Sequence, residues 1–148
     1  MEFCIKAIGV IHTPLTDKKS VPIQSSRSDI IGKVEVYPQY LEGLVGIEAF
    51  SHIYLLYGFH QSDQEISLKV KPFLDDQDHG VFATRYPNRP NPIGFSVVQL
   101  VARQANLLEF KGADMLDGTP LLDIKPYIPD FDVFSVDKIG WYQHRKKL

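Results

Sequence analysis

Eight short runs rich in β-branched, aromatic and aliphatic residues, each ended by a turn signal, limit what this chain can fold into. They occupy residues 3–11, 32–36, 52–59, 68–70, 81–84, 95–102, 107–111 and 121–124. Strands this short and this closely spaced, with little helical patterning between them, lead to an all-β architecture. Closing such a sheet on itself removes the exposed edges that would otherwise recruit other chains. The expected fold is mainly β, a small closed or nearly closed β-barrel with one short helix, and an open sandwich is the alternative. Val34 and Val36 alternate with Lys33 and Glu35, the period of a strand with one wet face. HIYLLYGF at 52–59 is apolar almost throughout, which predicts cover on both faces, by a barrel wall or by a second copy of the chain. The polar break RQAN at 103–106 predicts a tight hairpin. The helix is expected over residues 38–44, where Pro38 suits the first position, Tyr40, Leu41 and Leu44 share a face, and Gly46 terminates it.

A chain of 148 residues is long enough for one hydrophobic core, and one domain over residues 1–148 is expected. Its 44% hydrophobic and 23% charged residues argue against disorder. Cys4 is the only cysteine, which excludes an intrachain disulfide and a multi-cysteine zinc site and fits a reducing cytoplasm. No stretch approaches the roughly 20 apolar residues of a membrane span, and the start MEFCIKAIG lacks a basic region followed by an apolar one. Neither a membrane span nor an export signal is expected. His12, His52, His60, His79 and His144 show no ligand spacing, so no metal is assigned. The net charge of −2 lacks the basic excess of strong nucleic-acid binders, so RNA contact requires a local patch or two copies together. The local patch is the basic tail at 140–148, with His144, Arg145, Lys146 and Lys147; its plainer reading is a solvated terminus.

Function concentrates in GVFATRYPNRPNPIG, residues 80–94. Pro87, Pro90 and Pro92 fix their own φ near −65° and push Tyr86, Arg89 and Asn91 toward extended geometry, so the loop loses little entropy when a ligand binds. Arg85 and Arg89 offer planar forks for carboxylate or phosphate, and Asn88 and Asn91 donate and accept around a base edge. A purely structural proline-rich turn is the competing reading. The apolar residues on either side of the loop frame it between strands, where binding residues tend to sit.

DMLDGTPLLDIKPY at 114–127 is the second such stretch. Asp117-Gly118 signals a turn, and 121–124 reads as a strand. The segment is either a plain hairpin or a wall whose amides and carboxylates hold a nucleotide-like ligand. Asp123, Lys125 and Tyr127 alternate and so project from one face. They form either a proton-transfer constellation or a surface salt-bridge ladder. His60-Gln61 and Pro22-Ile23-Gln24 are weak signals alone, since isolated His and Gln at strand ends often satisfy backbone groups. The chain has no GxGxxG, GxxxxGK[ST] or GxSxG, which argues against a Rossmann site, a P-loop and a serine nucleophile elbow.

The motifs IGVIHTP at 8–14, VPIQ at 21–24, EAFSHIYLLYGFHQ at 48–61, and the two stretches at 80–94 and 114–127 together resemble the TsaA-like family. These are S-adenosylmethionine-dependent methyltransferases of the TrmO type, acting on N6-threonylcarbamoyladenosine beside the anticodon of certain tRNAs. The likeness runs from about residue 8 to residue 127, with the motifs in the expected order.

That resemblance implies a homodimeric single-sheet β-barrel in place of a doubly wound sheet, in keeping with the missing GxGxxG. It implies a cofactor held by Pro22, Ile23 and Gln24, by His60 and Gln61, by Arg85, by the turn with Asn91, Pro92 and Gly94, and by Asp114, Leu116, Asp117, Gly118 and Thr119. Asp123, Lys125 and Tyr127 are then the catalytic group facing the modified nucleoside, and Arg89 binds the RNA or the second subunit. Bacterial members commonly continue into a carboxy-terminal extension, whereas this chain stops at its basic tail. Two other readings stand beside methylation of tRNA: a non-catalytic S-adenosylmethionine sensor, and a methyltransferase for a small acceptor.

Overall fold

Alternation of inward and outward side chains produces eight strands in the computed structural model, which describes residues 1–61 and 65–147. They are β1 (Gly9–His12), β2 (Ile31–Val36), β3 (His52–Gly58), β4 (Lys69–Val70), β5 (His79–Gly80), β6 (Ile93–Gln104), β7 (Leu107–Lys111) and β8 (Thr119–Pro126). The chain divides into two compact units, Met1–His60 with Ile93–Ile128, and Gln61–Pro92 with Pro129–Leu148.

The first unit is a closed barrel in the order β1-β2-β7-β6-β3-β8. Every pairing is antiparallel. Closure is made by β8, which joins β1 (Ile11 opposite Thr119) to β3 (Leu55 opposite Ile124). Ile11, Val34, Ile53, Leu55, Leu108, Phe110 and Leu121 fill the interior with no exposed surface. Each contributes on the order of 1.5–3 kcal/mol by leaving water. Gly9 is required by the close approach of β1 to β2: a Cβ built there would lie 2.2 Å from the Glu35 carbonyl oxygen.

Two irregularities aim the walls. β6 and β7 shift register between Leu100 and Ala102. β3 and β8 shift between Leu56 and Tyr57, so that Tyr57 faces Leu121 while Leu56 faces Asp123, leaving Leu122 as the extra residue. A bulge reverses which face the following residues present. Ile124 therefore packs on the core opposite buried Leu55, while Asp123 and Lys125 stand on the outside.

Polar fastenings order the segment between β1 and β2. Ser25 Oγ donates to the Val97 carbonyl at 2.6 Å, and Ser28 Oγ donates to the Ala113 carbonyl at 2.6 Å. Near the hairpin between β6 and β7, Arg103 donates to the carbonyls of Ala105 (2.9 Å) and Leu44 (3.0 Å) and pairs with Glu48.

The second unit carries the β4–β5 ladder, a 3-10 helix at Val81–Ala83, a short helix α1 (Pro129–Asp132) and a 3-10 helix at Gly140–His144. Val70, Leu74 and Val81 are its buried apolar side chains.

Several expectations change. The barrel has six strands, with β4 and β5 forming their own ladder. Residues 3–8 are not strand, because Phe3 and Ile5 find no partner and stay exposed. Residues 81–83 turn as a 3-10 helix where a strand was expected, with Thr84 Oγ1 donating to the Val81 carbonyl at 2.8 Å. The helix at Pro38–Leu44 exists as 3-10 geometry, with Leu44 buried and Leu41 on the wet side. β3 alternates between buried and half-buried positions, so only one of its faces is fully covered. The hairpin at RQAN is present, with Ala105 at φ 53°.

Gly9→Ala is expected to lower the unfolding free energy by about 1–3 kcal/mol through overpacking against a backbone that cannot move aside. A chemical denaturation midpoint equal to that of the parent chain would show that β2 yields freely.

Candidate functional site

At one end of the barrel β1, β3 and β7 finish and β2, β6 and β8 begin. The segment 112–118, between β7 and β8, lies there because its backbone is tied on several sides. Gly112 and Ala113 N–H donate to the Ile30 carbonyl at 2.9 and 3.0 Å; Asp117 N–H donates to Leu15 and Gly118 N–H to Ile11, at 2.8 and 2.9 Å. Thr13 adds two bonds, from Oγ1 to the Met115 carbonyl at 2.9 Å and from N–H to Asp117 Oδ1 at 3.0 Å. Gly118 has φ 80°, a left-handed conformation that side chains rarely tolerate. The strand after this segment pairs with β1 and β3, so the hairpin reading of Asp117-Gly118 does not hold.

Side chains gather on this frame. Thr119 Oγ1 donates to the Leu116 carbonyl at 2.6 Å and lies 3.5 Å from His60 Nδ1. Asp114 accepts from Ser96 Oγ at 2.6 Å. His12 stands between two carboxylates, 2.9 Å from Glu35 Oε2 and 3.9 Å from Asp117 Oδ1, with all three side chains about half exposed. Pro22, Ile23 and Gln24 lead directly into Ser25, whose carbonyl lies 3.1 Å from where a Cβ on Gly112 would sit. The barrel end thus brings together Pro22 to Gln24, His60, Asp114, Leu116, Asp117, Gly118 and Thr119. Gly94 joins them at the start of β6.

Asp123, Lys125 and Tyr127 occupy the opposite end. Four and six residues of strand separate Asp123 and Lys125 from Thr119, on the order of 13 and 20 Å. Lys125 Nζ lies 2.9 Å from Asp123 Oδ2 on the outer face, as in a ladder of surface charges. Tyr127 N–H donates to the His52 carbonyl at 3.2 Å, and its ring lies 5.7 Å from that of Tyr54.

Gln61, Arg85, Arg89, Asn91 and Pro92 belong to the second unit. Its loop is braced from within: Arg89 Nη1 donates to the carbonyls of Thr84 (2.9 Å) and Tyr86 (3.1 Å), and the carbonyl of buried Asn88 accepts from Ser67 N–H at 3.3 Å. Arg85 is exposed. The basic tail is fastened to the same unit. Trp141 Nε1 donates to the Ala83 carbonyl at 2.7 Å and its ring stacks on His79, while Lys146 N–H donates to the Leu74 carbonyl at 2.8 Å. Leu148 lies outside the described residues.

Sequence reading missed Thr13, Tyr57 and Ser96. The signal for Ser96 was a lone hydroxyl at an inward position of an otherwise apolar alternation. Among the described residues no group of three or more His, Cys, Asp or Glu is arranged to hold a metal ion, and no helix is long and apolar enough to cross a membrane.

Residues 10–133 match the family model described as the tRNA-methyltransferase O N-terminal domain. A probable S-adenosyl-L-methionine-binding protein of Pyrococcus abyssi is 55% identical over 141 residues, covering 95% of this chain and 76% of that protein. The tRNA (adenine(37)-N6)-methyltransferase of Mus musculus is 38% identical over 136 residues, 89% of this chain and 30% of that protein. The crystal structure of TrmO from Pseudomonas aeruginosa superposes with a TM-score of 0.79 at 38% identity, over 95% of this chain and 62% of that one. The chain therefore spans just under two thirds of that solved chain and less than a third of the mouse enzyme.

Asp75 provides a pH test of the second unit. A hydrogen bond from His79, and after it one from the Asp76 N–H, hold its carboxyl below the usual carboxylate range. A depressed carboxyl contributes stability that is complete above its unfolded pKa, about 4, and is lost as pH falls through the lower folded value. Trp141 is the only tryptophan and stacks on His79 at 5.6 Å, so its fluorescence should show an acid step below about pH 4. In Asp75→Asn that acid step should disappear; an unchanged step would separate Asp75 from the Trp141 environment.

Proposed function

The chain belongs to the family of the tRNA-methyltransferase O N-terminal domain, and from that premise we propose that it binds S-adenosyl-L-methionine and methylates N6 of an adenine in tRNA. The finer reading is that the acceptor is N6-threonylcarbamoyladenosine beside the anticodon. The observation that carries the reading is the set of groups gathered at the barrel end, within the matched residues. Two carboxylates (Asp114, Asp117), an imidazole (His60) and a glycine without a Cβ (Gly118) stand around a backbone that is already fastened. That donor set fits an adenosyl group, whose hydroxyls and amine need acceptors and whose ring needs close approach to backbone.

When bound, S-adenosyl-L-methionine supplies an electrophilic methyl group on a sulfonium leaving group. The chain's own residues then orient and exclude water, since in-line alignment supplies most of what such a transfer needs. Asp114 and Asp117 accept from adenosyl hydroxyls and amine, His60 and Leu116 border the ring, and Pro22 to Gln24 cover it. Arg85, with Asn91 and Pro92, holds carboxylate or phosphate. Lys125 and Tyr127 polarise the ureido group around N6, with Asp123 keeping Lys125 in place.

The chain works as a homodimer. Within one copy β8 holds Lys125 and Thr119 at opposite ends of the barrel, and a second copy places the Asp123, Lys125 and Tyr127 face of one barrel against the cofactor end of the other. The slightly acidic net charge is offset at the RNA surface by cations drawn from both copies.

Incubation with labelled S-adenosyl-L-methionine and tRNA with or without the threonylcarbamoyl group, followed by nucleoside mass spectrometry, should place the label on N6 of the modified adenosine alone. Tight cofactor binding without transfer to any tRNA would favour a sensor, and transfer to a small acceptor alone would remove tRNA as substrate. Lys125→Ala should cut turnover by at least about a hundredfold, the usual worth of a group assisting proton transfer, with cofactor affinity unchanged. At a cofactor concentration too low to fill the Asp114→Ala end, mixing Lys125→Ala and Asp114→Ala chains should restore about a quarter of the parent activity, the share of sites with both halves intact after random pairing. No recovery would show that the two ends do not act across copies.

A further inference from the structure

We infer that Tyr57 and Ser96 are positioning residues for the cofactor end of the barrel, acting by fixing the Asp114 carboxylate. The inference rests on the reading of Asp114 as a residue that binds S-adenosyl-L-methionine.

Ser96 sits on the inner face of β6 and is 3% exposed; its Oγ donates to Asp114 Oδ1 at 2.6 Å. A serine hydroxyl has one proton, and that bond uses it. The 2.9 Å contact between Tyr57 and Ser96 must therefore have Tyr57 O–H donating and Ser96 Oγ accepting. The result is a chain of hydroxyls running from β3 through β6 to the segment before β8, ending on a carboxylate. Each bond polarises the next where water is excluded, and a chain ending on a charge is stronger than a neutral one.

Gly94 extends this assignment. It lies two residues before Ser96 on the same inner face and pairs with Tyr57 across the strands. A Cβ there would come within 2.4 Å of Tyr57 Cε2 and 2.7 Å of Phe59 Cζ. The Phe59 ring meets the Tyr57 ring edge-on at 5.7 Å. Gly94 and Ser96 thus serve the same side chain: one leaves room for its ring, and the other accepts a hydrogen bond from its hydroxyl. The Ile93 to Ser96 stretch influences the cofactor end through Tyr57. A phenylalanine would fill the same space without a hydroxyl, so Tyr57→Phe removes the bond to Ser96 while keeping the ring.

Calorimetric titration of the full chain with S-adenosyl-L-methionine tests this. Tyr57→Phe, Ser96→Ala and Asp114→Ala should each raise Kd by about tenfold, the worth of one buried charge-assisted hydrogen bond. The double variant Tyr57→Phe with Asp114→Ala should bind no more weakly than Asp114→Ala alone. Gly94→Ala should follow Tyr57→Phe, and kcat at saturating cofactor should stay within about twofold of the parent for Tyr57→Phe and Ser96→Ala. Parent-like Kd in Tyr57→Phe and Ser96→Ala, with weakened binding in Asp114→Ala, would overturn the positioning role and leave Asp114 as a binding residue. Parent-like Kd in Asp114→Ala would overturn both. Additive losses in the double variant would show that Tyr57 acts without Asp114. Where Tyr57→Phe fails to fold, Ser96→Ala reads the same link.

Discussion

Everything in the first unit depends on the pairing of β8 with both β1 and β3. The β1 edge would otherwise be open, and an open edge of this kind recruits other chains. Ile11 meets Thr119 and Leu55 meets Ile124, contacts between residues far apart in sequence. Closure creates the interior in which Ile11, Leu55 and Leu121 lose all exposure. It also creates the end at which 112–118 must cross from β7 to β8, so the candidate site is a by-product of how the barrel shuts. Such closure is entropically costly until late, because β1 cannot gain its second neighbour before residues 119–121 exist.

Much of this was legible in the chain. Short runs with turn signals led to a barrel, Val34 and Val36 marked a one-sided strand, and the motifs at 80–94 and 114–127 led to the family. What misled was local. Residues 81–84 have strand composition, yet the Thr84 hydroxyl binding the Val81 carbonyl favours a turn. Residues 3–7 have no strand to pair with, and the barrel takes hold of the chain only at Ile8, whose N–H donates to the Leu121 carbonyl and whose carbonyl accepts from Tyr37 N–H. A serine inside an apolar strand carries too little pattern to reveal that its partners are Tyr57 and Asp114, since those three lie far apart in sequence. The alternation of Asp123, Lys125 and Tyr127 correctly placed them on one face. Which end of the barrel that face occupies depends on register, and register is not visible in a period of two.

The loop at 80–94 shows how two kinds of stiffness combine. Prolines restrict φ at Pro87, Pro90 and Pro92, while Arg89 spends hydrogen-bonding capacity on the carbonyls of Thr84 and Tyr86. One arginine becomes scaffold and the other, Arg85, stays exposed. The tail contributes to the same unit through Trp141 and Lys146, so its cations are presented from a fastened backbone and not from a fraying end. Residues 141–147 extend past the matched region 10–133, which makes this fastening a feature of the chain beyond the shared domain.

The unpaired Leu122 makes one point of β8 tolerant of a change in chain length. Its loss would leave Leu121 opposite Tyr57, Asp123 opposite Leu56 and Ile124 opposite Leu55 in an unbroken ladder, with every face kept. Elsewhere in β8 a one-residue change exchanges the faces of everything beyond it, so the bulge is where this strand can change length.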